Sequence, residues 1–374
     1  LAWAGELLPQ GYQPPADTRY VSVFKDADEA YTIWAPGMGV PSERIVRLGE
    51  QDNFWAMGEP GPRGPCSEIL LDQGEALSCG IPDCAPGCVC DRYLEIWNLV
   101  FTQFDRDAQG NLNPLPSPNI DTGMGLERLA AVVQGVTSNY DADIFKDIIG
   151  RIEDLSEKRY GEDRKQDISF RVISDHARAA AFLIGDGIMP SNEGRGYVLR
   201  RIIRRAIRFG QVLGLNDSFL HLVADKVIDI MGEDYGELVS AKSLIQGVVL
   251  NEEKRFADTL YYGMRVLKEN LEALKDEGGD SIPGDLAFKL YDTYGLSVDI
   301  VEDVAREEGL VVDMAGYDQA MGRQRSKSQE SWKGSGEEEV PEAYRKLTAK
   351  GVSSQFVGYE NMNSQSKVIA LLVG

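Results

Sequence analysis

The sequence predicts an α+β chain, with a strand-and-loop segment first and a helical domain after it, and two observations carry that reading. Through about residue 134, short apolar runs alternate with Gly/Pro loops, whereas beyond Asn139 the apolar residues recur every three and four positions. Length adds a third: 374 residues, at about 150 per domain, call for two to three domains, not one core.

Taken in order, residues 20–24 and 68–72 read as strands, and Leu94-Glu95-Ile96-Trp97-Asn98-Leu99-Val100-Phe101-Thr102-Gln103-Phe104 is the strongest strand signal in the chain. The aromatic, glycine and proline cluster over 52–68 fits a structural Ω-loop or a loop passing close to a ligand. Helical spacing then links Phe170, Ile173, Ala177, Ala180 and Ile184, and again Phe256, Leu260, Met264, Leu267, Leu271 and Leu274. From 322 to 345 the composition turns to Arg, Lys, Ser, Glu and Gly, that of a solvated linker. Residues 346–374 read as the first strands of a third domain. The opening Leu1 and the strand-like run 367–374 lead to the expectation of a fragment truncated at both ends.

Sixty acidic residues against 39 basic ones give a net charge of −21, while 43% hydrophobic content is enough to build cores. No apolar run approaches the roughly 18 residues of a membrane-spanning helix, and no signal peptide opens the chain. All five cysteines fall between positions 66 and 90, which is no disulfide framework, so a reduced, cytoplasmic protein is expected. Cys79-x4-Cys84-x3-Cys88-x-Cys90 can supply four thiolates to a tetrahedral zinc; a loop of merely reduced cysteines is the alternative. With His176 and His221 as the two histidines there is no H-E-x-x-H site, and no G-x-S-x-G elbow presents a nucleophile.

Asp121-Thr122-Gly123-Met124-Gly125-Leu126-Glu127-Arg128 suggests a dinucleotide fingerprint, but Arg128 stands where the third glycine belongs. No P-loop occurs either. A Gly-x-Gly turn with a guanidinium behind it suits phosphate oxygens or the face of a base; the alternative is a tight turn capping a helix through 130–133. Farther on, Arg201, Arg204, Arg205 and Arg208 share one helical face opposite Leu199, Ile202, Ile203 and Ala206. Four guanidiniums together need anions against them, either an RNA backbone or local Asp and Glu. His176 and His221 fit structural roles.

Several of these stretches occur in the same order in one family. The Phe54-Trp55-x-Met57-Gly58 and Gly64-Pro65-Cys66-Ser67-Glu68-Ile69 loop, the 94–101 strand, Gly123-Met124-Gly125-Leu126-Glu127-Arg128 and Asn192-Glu193-Gly194-Arg195-Gly196-Tyr197-Val198-Leu199-Arg200-Arg201 together resemble the alanyl-tRNA synthetases. The resemblance implies part of a class II antiparallel-sheet catalytic domain over 1–134, a helical tRNA-recognition domain over 135–321, the charged linker, and the start of a β-barrel editing domain at 346. It implies ATP-dependent activation of alanine to alanyl-adenylate, with Mg2+, and transfer to tRNA(Ala). Asp121 would hold the α-amino group; Trp55, Asn98, Val100 and Gly123 would line the alanine pocket. Arg128, with Gly125, would serve ATP. On the RNA side, Asn192 and Asp292 would read the wobble pair of the acceptor stem, and the four arginines would hold its phosphates. The family's motifs 1 and 2 precede the point where this chain begins, so a non-catalytic tRNA-binding fragment is the second reading, and a zinc-stabilised acidic scaffold a third. Arg63 stands where the family carries cysteine.

Overall fold

The computed structural model of the chain describes residues 1–7, 16–58, 60–276 and 278–331, with scattered positions between 347 and 370. It contains two compact units, Leu1–Asp258 and Thr259–Gly374.

The first unit is built on a six-stranded sheet of β1 (Arg19–Phe24), β2 (Ile45–Leu48), β3 (Phe54–Ala56), β4 (Gly61–Asp72), β5 (Tyr93–Arg106) and β6 (Leu112–Met124), in the order β2-β1-β4-β5-β6 with β3 against β4. Apart from the parallel β1–β2 pair, every ladder is antiparallel. Short helices α1 (Ala2–Leu7), α2 (Asp28–Thr32) and α3 (Glu50–Asn53) accompany the strands. Then come α4 (Leu126–Gln134), α5 (Asp143–Ser156), α6 (Arg164–Gly185), α7 (Gly194–Val212), α8 (Leu220–Met231), α9 (Gly236–Ser240) and α10 (Lys242–Asp276), the last of which carries the boundary between the units. The second unit holds the remainder of α10, a two-stranded parallel pair β7 (Ser281–Ile282) and β8 (Val311–Val312), and α11 (Gly284–Tyr294), α12 (Val298–Glu307) and α13 (Met314–Ser331).

One face of the sheet is apolar: Val21, Val23, Ile45, Ile69, Ile96 and Leu99 form a core with Trp34 and Leu129. The indole of Trp34 is held by a 2.9 Å bond to Ser67 Oγ, which itself donates to Ser22 O at 2.7 Å, so the hydroxyl in this layer is fully used. In the helical part the expected period holds, and Phe170, Ile173, Ala177, Ala180 and Ile184 are fully buried. Asp163 caps α6 by accepting from Lys165 N, and Gly135 ends α4 at φ +69°, a left-handed conformation that glycine adopts without steric cost.

Several stretches take a form that their composition does not announce. The boundary at 134 is not a boundary of the first compact unit, because Leu129 of α4 joins the sheet core while Glu127 pairs with Arg178 of α6 at 2.6 Å. The cluster at 52–68 is not an Ω-loop: β3 pairs back onto β4, Trp55 opposite Gly64. At Gly123-Met124-Gly125, β6 runs on through Met124 and Gly125 is the N-cap of α4, in line with the alternative of a turn capping a helix through 130–133; the prolines of β6 at 114, 116 and 118 are tolerated because the strand is an edge. The linker does not begin at 322, since α13 runs on to Ser331; its Gln, Arg, Lys and Glu are good helix formers even without an apolar stripe. The rest of that stretch and the strands expected from 346 lie largely outside the described residues.

Gly64 sits where β4 shifts register against β5, and a Cβ there would lie 1.9 Å from the carbonyl oxygen of Phe101. Gly64→Ala is therefore expected to destabilise the first unit by about 1–3 kcal/mol, seen as a lower denaturant midpoint, whereas Gly123→Ala, with open space around its Cβ, should leave the midpoint close to that of the unsubstituted chain.

Candidate functional site

Pairing register places the chemistry on the sheet face opposite the core. Directly paired residues lie on one face and alternate residues along a strand return to it. Ser22 pairs with Glu68, Glu68 with Asn98, and Asn98 with Gly123, giving one row across four strands. Two residues along, Cys66 pairs with Val100 and Val100 with Asp121. The alternation thus puts a carboxylate (Asp121), an amide (Asn98), a small apolar wall (Val100) and an open backbone position (Gly123) side by side. Trp55, one-third exposed at 37%, borders this patch from β3, opposite Gly64.

The β5–β6 edge is pinned by Thr122, which accepts from Trp97 Nε1 at 2.5 Å and donates to Asn98 O at 3.0 Å. Asp121 Oδ1 accepts only from the backbone N of Thr122, at 2.9 Å, and among the described residues no cation pairs with it. Its carboxylate is exposed and available to a positively charged ligand. Gly125 stands at the N-cap of α4, and the Arg128 side chain lies over it: a Cβ there would meet Arg128 Cδ at 3.1 Å. Arg128 Nη1 donates to Glu95 O at 2.8 Å and lies 3.3 Å from Glu95 Oε2, so the guanidinium is tethered yet half exposed.

Sequence reasoning missed the polar floor of this face. Asn53 Nδ2 donates to Ser22 Oγ at 2.8 Å, Ser22 Oγ donates to Glu68 Oε2 at 3.1 Å, and Asn98 Nδ2 donates to Glu68 Oε1 at 3.2 Å. Burial, reinforced by Glu95 and Asp52, pushes the Glu68 carboxyl up to about 7 despite the Ser22 bond and the nearby Arg128. Cys66, almost fully buried, is driven up to about 11 chiefly by desolvation and stays a thiol at neutral pH. The available signal was a charged residue directly before the apolar run Ile69-Leu70-Leu71, at an alternation position facing away from the core.

Between β4 and β5, the four cysteines converge, with Sγ atoms all within 4.8 Å of one another, Cys79–Cys88 at 3.3 Å and Cys84–Cys90 at 3.6 Å. A tetrahedron of thiolates about 2.3 Å from zinc has edges close to these separations, so Cys79, Cys84, Cys88 and Cys90 fit the metal. The base of the loop is closed by Arg92, which forks onto Asp72 at 2.8 and 3.0 Å and also reaches Glu75. That fork holds the Asp72 carboxyl below its usual range.

Of the two partners open to the α7 arginines, phosphate and local carboxylate, the structure shows a carboxylate at Arg204. Arg204 Nε pairs with the buried Glu252 at 2.8 Å and its guanidinium covers Phe256; Arg208 is 4% exposed and packs on Phe209. Arg205 donates to His176 Nε2 at 3.1 Å, whose Nδ1 meets Asp175 at 3.1 Å, so this histidine has partners on both nitrogens. Arg201 is the exposed member of the four. His221 likewise is structural: Glu253 accepts from the backbone of Phe219 and Leu220 at 2.9 Å each and from His221 Nδ1 at 3.2 Å, tying down the start of α8. Asn192, exposed, uses its carbonyl to accept from Arg200. In the second unit, Asp292 is exposed on the last turn of α11, where a carboxylate opposes the helix dipole, and the cap itself is made by Gly295 at φ +64°.

The sheet is thus largely antiparallel and carries on one face a carboxylate, an amide and a small apolar wall beside a helix-borne arginine. The family model of tRNA synthetases class II (A) matches residues 1–374, and the chain belongs to that family. It is 54% identical over its whole length to an alanine–tRNA ligase of Desulfosudis oleivorans, 50% to one of Nitratidesulfovibrio vulgaris and 48% to one of Oleidesulfovibrio alaskensis. The chain spans 42% of the length of each of these relatives.

Protein purified without chelator is expected to carry one zinc per chain by elemental analysis. Cys84→Ser or Cys90→Ser should bring the metal content close to zero while leaving the sheet's circular dichroism in place, because the closed four-thiolate set has a local structural role.

Proposed function

We propose that this chain belongs to an alanine–tRNA ligase and supplies its alanine pocket together with part of its ATP and tRNA contacts. The observation that supports this reading most directly is the β5–β6 register, which sets Asp121 diagonal to Asn98, directly across from Val100, and two residues from the open Gly123. The ammonium of alanine would sit against Asp121, its methyl against Val100, and its body in the space over Gly123. Trp55 would close the pocket from β3. A pocket this small holds glycine too, since one methylene is worth only about 1–3 kcal/mol, and it rejects a small added hydroxyl poorly. Discrimination therefore requires editing elsewhere in the ligase.

Adenylation needs no general base, because the alanine carboxylate is already ionised when it attacks the α-phosphate. What the protein contributes is alignment and positive charge: Arg128, borne on the first turn of α4 over Gly125, is placed to meet ATP phosphates or stack on adenine once Glu95 yields it. Mg2+, when bound with ATP, would neutralise phosphate charge. The reduced thiols fit a reducing compartment, and among the described residues no helix is long and apolar enough to cross a membrane.

For the RNA, the helical elements would grip the acceptor stem of tRNA(Ala). Among Arg201, Arg204, Arg205 and Arg208, the exposed Arg201 is the foremost phosphate contact. Asp292 and Asn192 would read base edges, a carboxylate accepting from exocyclic amines and an amide donating and accepting.

In a full-length ligase carrying this chain, Asp121→Asn should raise the KM for alanine and leave that for ATP nearly unchanged in ATP–pyrophosphate exchange, a loss of about 1.5–3 kcal/mol; an intact alanine KM with impaired ATP binding would move Asp121 to the other subsite. The RNA assignments separate by salt. Arg201→Ala should weaken all acceptor-stem minihelices alike and flatten the salt dependence, whereas Asp292→Ala should cost about 1–3 kcal/mol on the wobble-pair stem alone. Aminoacylation of matched minihelices at two ionic strengths reads both.

A further inference from the structure

Glu68 has no role in the reading above, yet it occupies the centre of the polar row, between Ser22 and Asn98. Both of its oxygens accept: Oε2 from Ser22 Oγ at 3.1 Å and Oε1 from Asn98 Nδ2 at 3.2 Å. The second contact fixes which way the Asn98 amide faces. With Nδ2 committed to Glu68, the oxygen Asn98 Oδ1 is left shielded from solvent and, among the described residues, without a donor. An orphaned acceptor is costly unless something else supplies a proton to it. Asp121 is the diagonal neighbour of Asn98 across β5–β6, a separation that side chains bridge through a shared group. An ammonium brings three N–H donors, more than one carboxylate takes up.

We propose that Glu68 is a positioning residue for the amino-acid ammonium: by accepting from Asn98 Nδ2 it turns Asn98 Oδ1 toward the ligand, so that Asn98 and Asp121 share the donors of the amino group. This rests on the alanine-pocket reading above. The arrangement explains why an acidic side chain is kept on a half-buried face where Glu95 and Asp52 oppose its charge while the Ser22 bond and Arg128 favour it, Cys66 remaining neutral. Its cost is offset only when a cation arrives. As pH falls through about 7 in the free protein, the carboxyl takes up a proton, ceases to be a double acceptor and releases the Asn98 amide. Alanine affinity should therefore rise with pH through that range and level off above it.

The test uses ATP–pyrophosphate exchange by the full-length ligase carrying this chain, with Glu68→Gln, Glu68→Ala and, as the control for the pocket itself, Asp121→Asn. At pH 8, Glu68→Gln is expected to raise the alanine KM about tenfold or more with the ATP KM unchanged, to abolish the rise of alanine affinity between pH 6 and 8, and to leave the Tm at or above that of the parent, since a desolvated charge has been removed. Glu68→Ala should show the same loss of alanine affinity. A merely structural glutamate would instead lower the Tm and spare the pH profile. If Asp121→Asn weakens alanine but Glu68→Gln leaves both the KM and the pH profile of the parent, the proposal fails while the pocket stands. If Asp121→Asn has no effect on alanine, the pocket reading fails, and the role of Glu68 with it.

Discussion

The register of β4, β5 and β6 is the constraint on which the rest of the first unit depends. In a pleated strand a slip of one residue sends every side chain to the opposite face. Here such a slip would carry Asn98, Val100 and Asp121 into the apolar layer and bring Leu99 and Trp97 to the outside. The ladder is held against that by several independent devices. Leu99 and Ile69 anchor one face in the core, Thr122 ties Trp97 to the backbone of Asn98, and Gly64 lets β4 close on the Phe101 carbonyl where the two strands shift. The core layer and the candidate site are two readings of one alternation, so stability and site geometry cannot be varied independently on these strands.

That coupling has an electrostatic counterpart. The core face satisfies its few polar atoms internally, as with Trp34, Ser67 and Ser22. The other face does not: Glu68 is ionisable near neutrality and, among the described residues, Asn98 keeps an acceptor without a donor and Asp121 has no cation paired with it. Unsatisfied groups gathered on one face mark it as a candidate surface for a ligand. The cysteine loop is a separate matter. It is closed by the Asp72–Arg92 fork at the far end of the β4–β5 ladder, and its four thiols converge on each other, not on the polar row.

Much of this was legible in the residues before the structure. The strands at 20–24, 68–72 and 94–104 announced themselves by β-branched and aromatic content, and the helical period of α6 marked its buried face without error. The convergence of the four cysteines followed from their spacing in a short loop. Other features were hidden for physical reasons. β6 carries prolines and mostly exposed residues, so neither β-propensity nor alternation signals it, and its strand character comes from β5 alone. The edge of the first compact unit was invisible because it falls inside a continuous helix, α10. Glu68 was passed over because a lone acid directly before an apolar run shows its meaning only when the neighbouring strands place Ser22 and Asn98 beside it.

Helix α7 shows where periodicity stops being informative. An amphipathic pattern states that two faces differ; it does not state what each face meets. In an acidic chain the arginine face had two candidate partners, phosphate and carboxylate, and the structure gives Arg204 to Glu252 while burying Arg208 against Phe209. Glu252 is 3% exposed, and a carboxylate that deep is retained only with cations close by, so Arg200 and Arg204 are as necessary to Glu252 as it is to them. The guanidiniums therefore serve first to allow α7 and α10 to pack with charges between them. Arg201 is the exposed member of the set, on a positively charged helix set into a protein whose net charge is strongly negative.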